Sequence, residues 1–325
     1  MTVLVTGGAG YIGSHVVRLL LDRGDEVVVV DDLITGDQKR IPGVPLIEMD
    51  LADSSAPARL TRVMRDYDVE AVIHFAGRKQ VAESVVRAAW YYQQNIGSLA
   101  NVLLAIEEAQ VTRLVFSSSA AVYGSSEGSA LSEATETNPI NPYGETKLIG
   151  EWLLEDIVRA LGITASSLRY FNVAGAGWPE LGDTAALNLV PMVFERLDLD
   201  RAPLIFGNDY ETEDGTCVRD YIHVLDLAEA HLATLDSLAT GAPRHDVYNV
   251  GTGVGSSVLA MVEKILEVSQ STVTPEIRDR RAGDPAVVVA DPGSITRSIG
   301  WTAQRGLTEI VESAWESHLL LNTPR

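Results

Sequence analysis

Short apolar runs recur through the first half of the chain, at residues 3–6, 26–30, 46–49, 71–74, 113–116 and 164–169. Most place apolar side chains at successive rather than alternate positions, the pattern of strands covered on both faces. Helical periodicity fills intervals between them, at 14–23, roughly 84–109 and 143–161. Strands alternating with helices predict an α/β fold, a doubly wound parallel sheet of Rossmann type. From Ala174 onward the chain is richer in Gly, Pro and Asp, with irregular turns at 175–182 and 207–215, and reads as a smaller C-terminal lobe. Residues 247–250 are short and apolar and are expected to return to the main sheet. The predicted division is 1–173, with returning segments near 216–251, for the sheet domain, and 174–215 with 252–325 for the lobe.

Two of the helical stretches are apolar around much of their circumference, through Val86, Trp90, Leu99 and Leu103 in one and Ile149, Trp152, Leu153 and Ile157 in the other. One face suits the sheet and the other needs cover. Pairing of these helices between two copies, a homodimer, is the expected solution; loops of the same chain are the alternative.

Composition narrows the classes of partner. With 325 residues and 46% hydrophobic content, one large core and a second smaller one are within reach. The net charge of -20 argues against nucleic acid or an anionic membrane as the main partner. A single cysteine, Cys217, excludes an internal disulfide framework and fits a reducing compartment. The six histidines show no metal-ligand spacing, so no metal site is expected. No apolar run approaches membrane-spanning length. A soluble, cytoplasmic protein is expected.

The first strand leads directly into Gly7, Gly10 and Gly13, with a helix behind them. Glycines at that place allow a tight turn and let backbone N–H groups approach a diphosphate at the helix N-terminus. The second strand ends in Asp31 and Asp32, at the distance expected for an acid that binds the adenosine ribose hydroxyls. A carboxylate there repels a 2′-phosphate, so the expected cofactor is NAD rather than NADP.

Further along, Asn141 suits an N-cap and Pro142 the first helical position, so Tyr143 and Lys147 fall four residues apart on one helical face. A free phenol ionises only near pH ~10, and an ammonium a few ångströms away is expected to draw that value toward neutrality. Ser117, Ser118 and Ser119 follow a predicted strand, and ligands bind at the C-terminal ends of parallel strands. A hydroxyl there is placed to reach the cofactor.

The glycine trio, the serine run and the Tyr-x-x-x-Lys helix resemble the extended short-chain dehydrogenase/reductase family. Further segments look like its UDP-glucose (UDP-galactose) 4-epimerase branch: His74-Phe75-Ala76-Gly77, Tyr170-Phe171-Asn172, Ile205-Phe206-Gly207-Asn208-Asp209-Tyr210, Arg219-Asp220-Tyr221-Ile222-His223 and Arg281-Ala282-Gly283-Asp284. The resemblance runs nearly end to end, and the last two segments are far more specific than the glycines. It implies reversible, NAD-dependent inversion at C4 of a UDP-hexose through a 4-keto sugar. By the same resemblance Tyr143 is the base on the 4-hydroxyl, Ser119 bonds the same oxygen, and Lys147 holds the nicotinamide ribose. The implied cofactor contacts are Gly7, Gly10, Tyr11, Ile12, Gly13, Asp31, Asp32, Asp50, Leu51, Phe75, Ala76, Gly77, Lys79, Asn95, Ser117, Tyr143, Lys147 and Tyr170. The smaller lobe is then the substrate lobe. The implied nucleotide-sugar contacts are Lys79, Ser119, Tyr143, Phe171, Asn172, Asn188, Leu189, Leu204, Phe206, Arg219, Tyr221, Arg281, Asp284 and Val288. Arginine suits such a diphosphate because its planar fork binds two oxygens at once.

Two departures matter. Ala121 stands where some members carry a threonine, removing one hydroxyl. Val288 stands where members restricted to plain hexoses often carry tyrosine, and the smaller side chain implies room for an N-acetyl group. Dehydratases and decarboxylases of the same fold usually place a carboxylate beside the catalytic serine, and Ala120 supplies none. Epimerases of UDP-uronic acids or UDP-pentoses would use the same base and hydride steps. A non-catalytic NAD-sensing module commonly lacks the tyrosine and lysine that this chain keeps.

Overall fold

The computed structural model describes residues 1–125, 130–281 and 283–322. Ala282, within the arginine segment singled out above, lies outside them. The elements in chain order are β1 (Thr2–Thr6), α1 (Tyr11–Asp22), β2 (Glu26–Asp31), β3 (Leu46–Glu48), α2 (Ala56–Asp66), β4 (Ala71–His74), α3 (Val81–Val86), α4 (Ala88–Ala109), β5 (Arg113–Ser119), α5 (Pro142–Leu161), β6 (Thr164–Tyr170), β7 (Asn172–Ala174), α6 (Leu189–Asp198), β8 (Leu204–Phe206), β9 (Val218–His223), α7 (Val224–Ser237), β10 (Arg244–Val250), β11 (Gly255–Ser257), α8 (Val258–Ser269), β12 (Glu276–Arg278), β13 (Val287–Val288), α9 (Gly293–Ile299) and α10 (Leu307–Asn322).

Seven strands form the main sheet in the order β10-β6-β5-β4-β1-β2-β3. The pairs from β6 to β3 are parallel. Successive residues of β1 point to opposite faces: Leu4 joins a core with α2, α4 and α5, through Leu60, Leu99, Leu103 and Leu154. On β2, Val28 and Val30 join that core, whereas Val29 and the α1 residue Val17 both close on Gly8. Helices therefore cover both faces, which is why these strands read as continuous apolar runs.

Two expected elements differ in detail. The predicted helix at 84–109 is two helices, α3 and α4, broken at Arg87 (φ -124°, ψ 41°). Arg87 pairs with Glu83 at 2.9 Å and lays its guanidinium 3.7 Å from the Trp90 ring centroid, holding the break from both sides. Strand β5 runs three residues past its predicted end because Ser117, Ser118 and Ser119 stay in register with Leu168, Arg169 and Tyr170.

The chain forms two compact units. Met1–Gly124, Glu136–Tyr170 and Ala228–Tyr248 make the first; Ser125–Thr135, Phe171–Leu227 and Asn249–Arg325 make the second. The sequence division assigned returning segments near 216–251 to the sheet domain. In the structure only Ala228–Tyr248 joins the first unit, because β9 pairs with β7, β11 and β13 instead of the main sheet. The second unit has its own core, including Val190, Phe194, Ile205, Met261, Ile265 and Ile310.

Within the first unit β6 is locked to α5 by a buried ion pair. Arg169 donates through Nε to Glu151 Oε1 at 2.9 Å and through Nη2 to Oε2 at 2.6 Å, with side chains 7% and 4% exposed. Tyr123 and Ser118 take the remaining bonds. Removing one partner strands the other's charge out of water. Glu151→Ala is therefore expected to lower unfolding stability by about 3–5 kcal/mol in a urea titration. A loss below about 1 kcal/mol would mean that water solvates this pair.

Candidate active site

Strand β1 runs into Gly7, which has φ +71°; a Cβ there would stand 2.8 Å from the Ala76 amide nitrogen. Only glycine lets the turn pass beneath the loop that follows β4. Gly13 is tighter, since its Cβ would lie 2.2 Å from the Gly7 carbonyl oxygen. The N-cap of α1 is Gly10, which has no side chain to cap the first turn. That end of the helix offers N–H groups and the positive end of its dipole to an anion. Asp31 braces the turn by accepting from Ala9 N at 3.0 Å and Leu33 N at 2.9 Å. Burial raises its pKa, and the two amide bonds oppose that shift.

A cleft opens above this turn. It is lined by Gly7, Gly10, Tyr11, Ile12, Gly13, Asp31, Asp32, Asp50, Leu51, Phe75, Ala76, Gly77, Lys79, Ser117, Tyr143, Lys147 and Tyr170, so the structure gathers every cofactor residue expected from the sequence but one. The exception is Asn95. Its Oδ1 accepts from Arg78 N at 2.7 Å, and its Nδ2 donates to Arg78 O and to Thr146 Oγ1, each at 3.0 Å. Asn95 thus holds the β4 loop from behind, and its amide is already engaged by protein groups. Sequence reasoning missed Thr35, Met49, Arg78, Gln94 and Ser98 in the same wall. Arg78 stands between two identified contacts directly after β4, and Gln94 and Ser98 share a face of α4; those positions were the available signal.

Helix α5 starts as its sequence dictates. Asn141 Oδ1 accepts from Gly144 N at 2.9 Å, Pro142 opens the first turn, and Gly162 ends the helix at φ 68°. Tyr143 and Lys147 are consequently on one face, 9% and 6% exposed. The Ser119 hydroxyl lies near enough to the Tyr143 phenol to favour its ionised form. Ser119 ends β5, and its Oγ accepts from Ala121 N at 3.2 Å. Lys147 Nζ donates to the Ser117 carbonyl at 2.8 Å and lies 5.9 Å from the Tyr143 ring centroid. Ser117 Oγ in turn bonds the Tyr170 hydroxyl.

The electrostatics correct one expectation. Burial pushes the Tyr143 phenol above its ordinary value, and the Ser119 hydroxyl only offsets part of that. Lys147, whose Nζ donates to the Ser117 carbonyl, does not outweigh that burial in the cofactor-free protein. Burial lowers Lys147 from 10.5 to about 8.

The expected nucleotide-sugar residues beyond Lys79, Ser119 and Tyr143 belong to the second unit. Asn172 and Tyr221 are register partners in β7 and β9, and Val288 of β13 pairs with Arg219. Arg219 Nη1 donates to the Val218 and Pro285 carbonyls at 2.9 Å each, with Nη2 3.9 Å from Asp284 Oδ1. Arg281 lays its guanidinium 3.9 Å from the centroid of Phe206. Asn188, before α6, donates to Asp183 at 2.6 Å, and Leu189 packs on the second core. Phe171 is buried beside Val250, its amide donating to that carbonyl at 3.4 Å, and Leu204 begins β8.

Known proteins are similar to this chain over nearly its whole length. Residues 3–251 match the model of the NAD dependent epimerase/dehydratase family. The UDP-glucose 4-epimerase of Azospirillum brasilense is 46% identical over 98% of this chain and 92% of its own. That of Bacillus subtilis is 44% identical over 97% and 96%. The crystal structure of UDP-glucose-4-epimerase from Stenotrophomonas maltophila, with bound NAD and formylated UDP-arabinopyranose, superposes with a TM-score of 0.93 at 37% identity, covering 99% of this chain and 98% of that one. With a family model matched over residues 3–251 and relatives 46% and 44% identical over nearly the whole chain, the chain belongs to the NAD dependent epimerase/dehydratase family.

Proposed function

We propose that this protein interconverts UDP-glucose and UDP-galactose, and their N-acetylated counterparts, by inverting the sugar C4 with bound NAD. The observation that carries this reading is the Tyr143 phenol at the wall of the glycine-turn cleft, with Ser119 beside it and Lys147 one turn along. The cleft fits NAD: a turn that only glycine satisfies, an uncapped helix start for the diphosphate, and carboxylates at Asp31 and Asp32 where a 2′-phosphate would be repelled. When bound, NAD accepts a hydride from C4 of the sugar and returns it to the other face.

The chain's own groups do the proton work. Tyr143 takes the 4-hydroxyl proton as the carbonyl forms and gives it back when the hydride returns. Ser119 orients the phenol and shares the sugar oxygen. Lys147, fixed by the Ser117 carbonyl, supplies a positive charge that favours the phenolate when the cationic ring lies beside it. Arg219 and Arg281 hold the diphosphate, and Asn172, Asn188, Leu189, Leu204, Phe206, Tyr221 and Asp284 complete the nucleotide grip. Grip on the nucleotide with loose contact to the hexose lets the keto sugar turn over. Val288 leaves space for an acetamido group.

We also assign a homodimer formed through α3, α4 and α5. Val85, Val86, Leu104 and Trp152 on these helices are 63%, 82%, 53% and 57% exposed, large apolar side chains that water does not favour. No helix among the described residues is long and apolar enough to cross a membrane. A reducing cytoplasmic setting suits the buried free thiol of Cys217.

Purified protein with no added NAD should convert UDP-galactose and UDP-N-acetylgalactosamine. Tyr143→Phe should cut both rates by about 10²–10⁴-fold while NAD stays bound, and Val288→Tyr should selectively lose the acetylated substrate. Unimpaired turnover by the phenylalanine variant defeats the assignment of the base.

Lys147 should cost stability in the cofactor-free protein. Between about 8 and 10.5 the unfolded chain holds a proton that the folded one has lost, so stability rises with pH across that window. Below it the buried charge costs about 3 kcal/mol, less about 1 kcal/mol for the bond to Ser117. Lys147→Met is therefore expected to unfold at higher urea than wild type at pH 7, the gap narrowing above pH 8. A variant less stable at pH 7 contradicts this account.

Sedimentation should give about twice the 35.0 kDa chain mass, and Trp152→Glu should shift it to one chain. A wild-type monomer at micromolar concentration rules the dimer out.

A further inference from the structure

We propose that Arg78 and Asp32 form a clasp that retains the dinucleotide, a role in this site distinct from its chemistry. Strands β4 and β2 flank β1 on its two sides, and the glycine turn follows β1. Arg78 lies on the loop after β4, and Asp32 directly after β2. Their side chains meet, with Arg78 Nη2 2.5 Å from Asp32 Oδ2. The ion pair therefore joins the two loops on either side of the turn that seats the diphosphate, and both residues line the cleft.

The pair is built to hold. Gln94 Oε1 on α4 accepts from Arg78 Nη2 at 3.0 Å and Nε at 3.3 Å, and the guanidinium lies 5.5 Å from the Trp90 ring centroid. Asp32 is fixed from its own side, where Oδ1 accepts from Ile34 N at 3.1 Å. The Arg78 backbone is pinned in both directions by Asn95, so opening is confined to the side chain. The two side chains are 14% and 23% exposed, dry enough for the attraction to exceed that of a surface pair yet open to water when they part.

A hydride that leaves and returns within one turnover demands no cofactor exchange. A barrier to exit then costs the reaction nothing and keeps the site loaded. The ion pair supplies that barrier without touching the nicotinamide end, where Tyr143 and Lys147 lie.

The inference rests on the NAD reading above, and the two are tested separately. Holoprotein is diluted into labelled NAD and the release of bound nucleotide is timed for wild type, Arg78→Gln, Asp32→Asn and the double variant. Each single variant is expected to release NAD about five- to tenfold faster, and the double variant no faster than either, because both break one interaction. Wild-type release should quicken with salt, whereas Arg78→Gln should respond little. Unchanged release in both single variants overturns the clasp. So does acceleration in Arg78→Gln alone, which would mean that the guanidinium contacts the diphosphate directly. Should a variant fail to fold, the wild-type salt dependence decides: release indifferent to salt overturns the proposal. Wild-type protein that carries and binds no NAD defeats the NAD reading itself.

Discussion

A buried ammonium bonded to a strand-end carbonyl is the constraint on which the site depends. Lys147 Nζ reaches Ser117 O from one turn inside α5, and that bond fixes the helix against the end of β5. Tyr143, four residues earlier, is thereby set beside Ser119, two residues later on the strand. The register of β5 with β6, carried as far as Ser119 and Tyr170, keeps this strand end straight enough for both contacts. Burial penalises the charge, so the fold holds Lys147 at the expense of stability. The Glu151–Arg169 pair, one turn further along α5, ties the same helix to β6 and resists its retreat.

Much of this was legible because local rules and the global fold agree. The cap at Asn141, the proline behind it and the glycine at 162 define α5 in sequence as they do in space. The apolar runs gave the strands because a parallel sheet covered on both faces leaves no polar alternation to confuse them. The glycine turn was legible for a steric reason: Gly7 and Gly13 have no room for a Cβ. The family likeness, rather than spacing, is what pointed to Arg219, Arg281 and the other residues expected in the second unit.

What sequence reasoning missed follows from side-chain direction and electrostatic balance. The break at Arg87 depends on a guanidinium stacking on Trp90, which no helical periodicity encodes. Asn95 occupies its expected helix position, yet its amide turns to Arg78 and Thr146 instead of the cleft. The phenol of Tyr143 was expected to be acidified by its lysine. Distance alone favoured that, but desolvation acts on both groups and dominates where neither is wet. The segment holding β9 was counted with the sheet domain as part of a return near 216–251; its actual partners β7, β11 and β13 are too short to stand out.

The charge of the whole chain conceals the charge of the site. A net -20 would repel a dinucleotide and a UDP-sugar alike if spread evenly. In the cleft, however, Asp31, Asp32 and Asp50 are matched by Arg78, Lys79 and Lys147. Local balance removes the repulsion, and the first turn of α1 adds the positive end of a dipole where a diphosphate needs it. The carboxylates are also already committed: Asp31 to the amides of Ala9 and Leu33, Asp32 to Ile34 and Arg78. An acid whose lone pairs are partly occupied by N–H groups presents less charge to an incoming anion, yet still accepts a ribose hydroxyl. The carboxylates proposed to select against a 2′-phosphate thus also serve as structural acceptors, which limits the negative charge they present to the cleft.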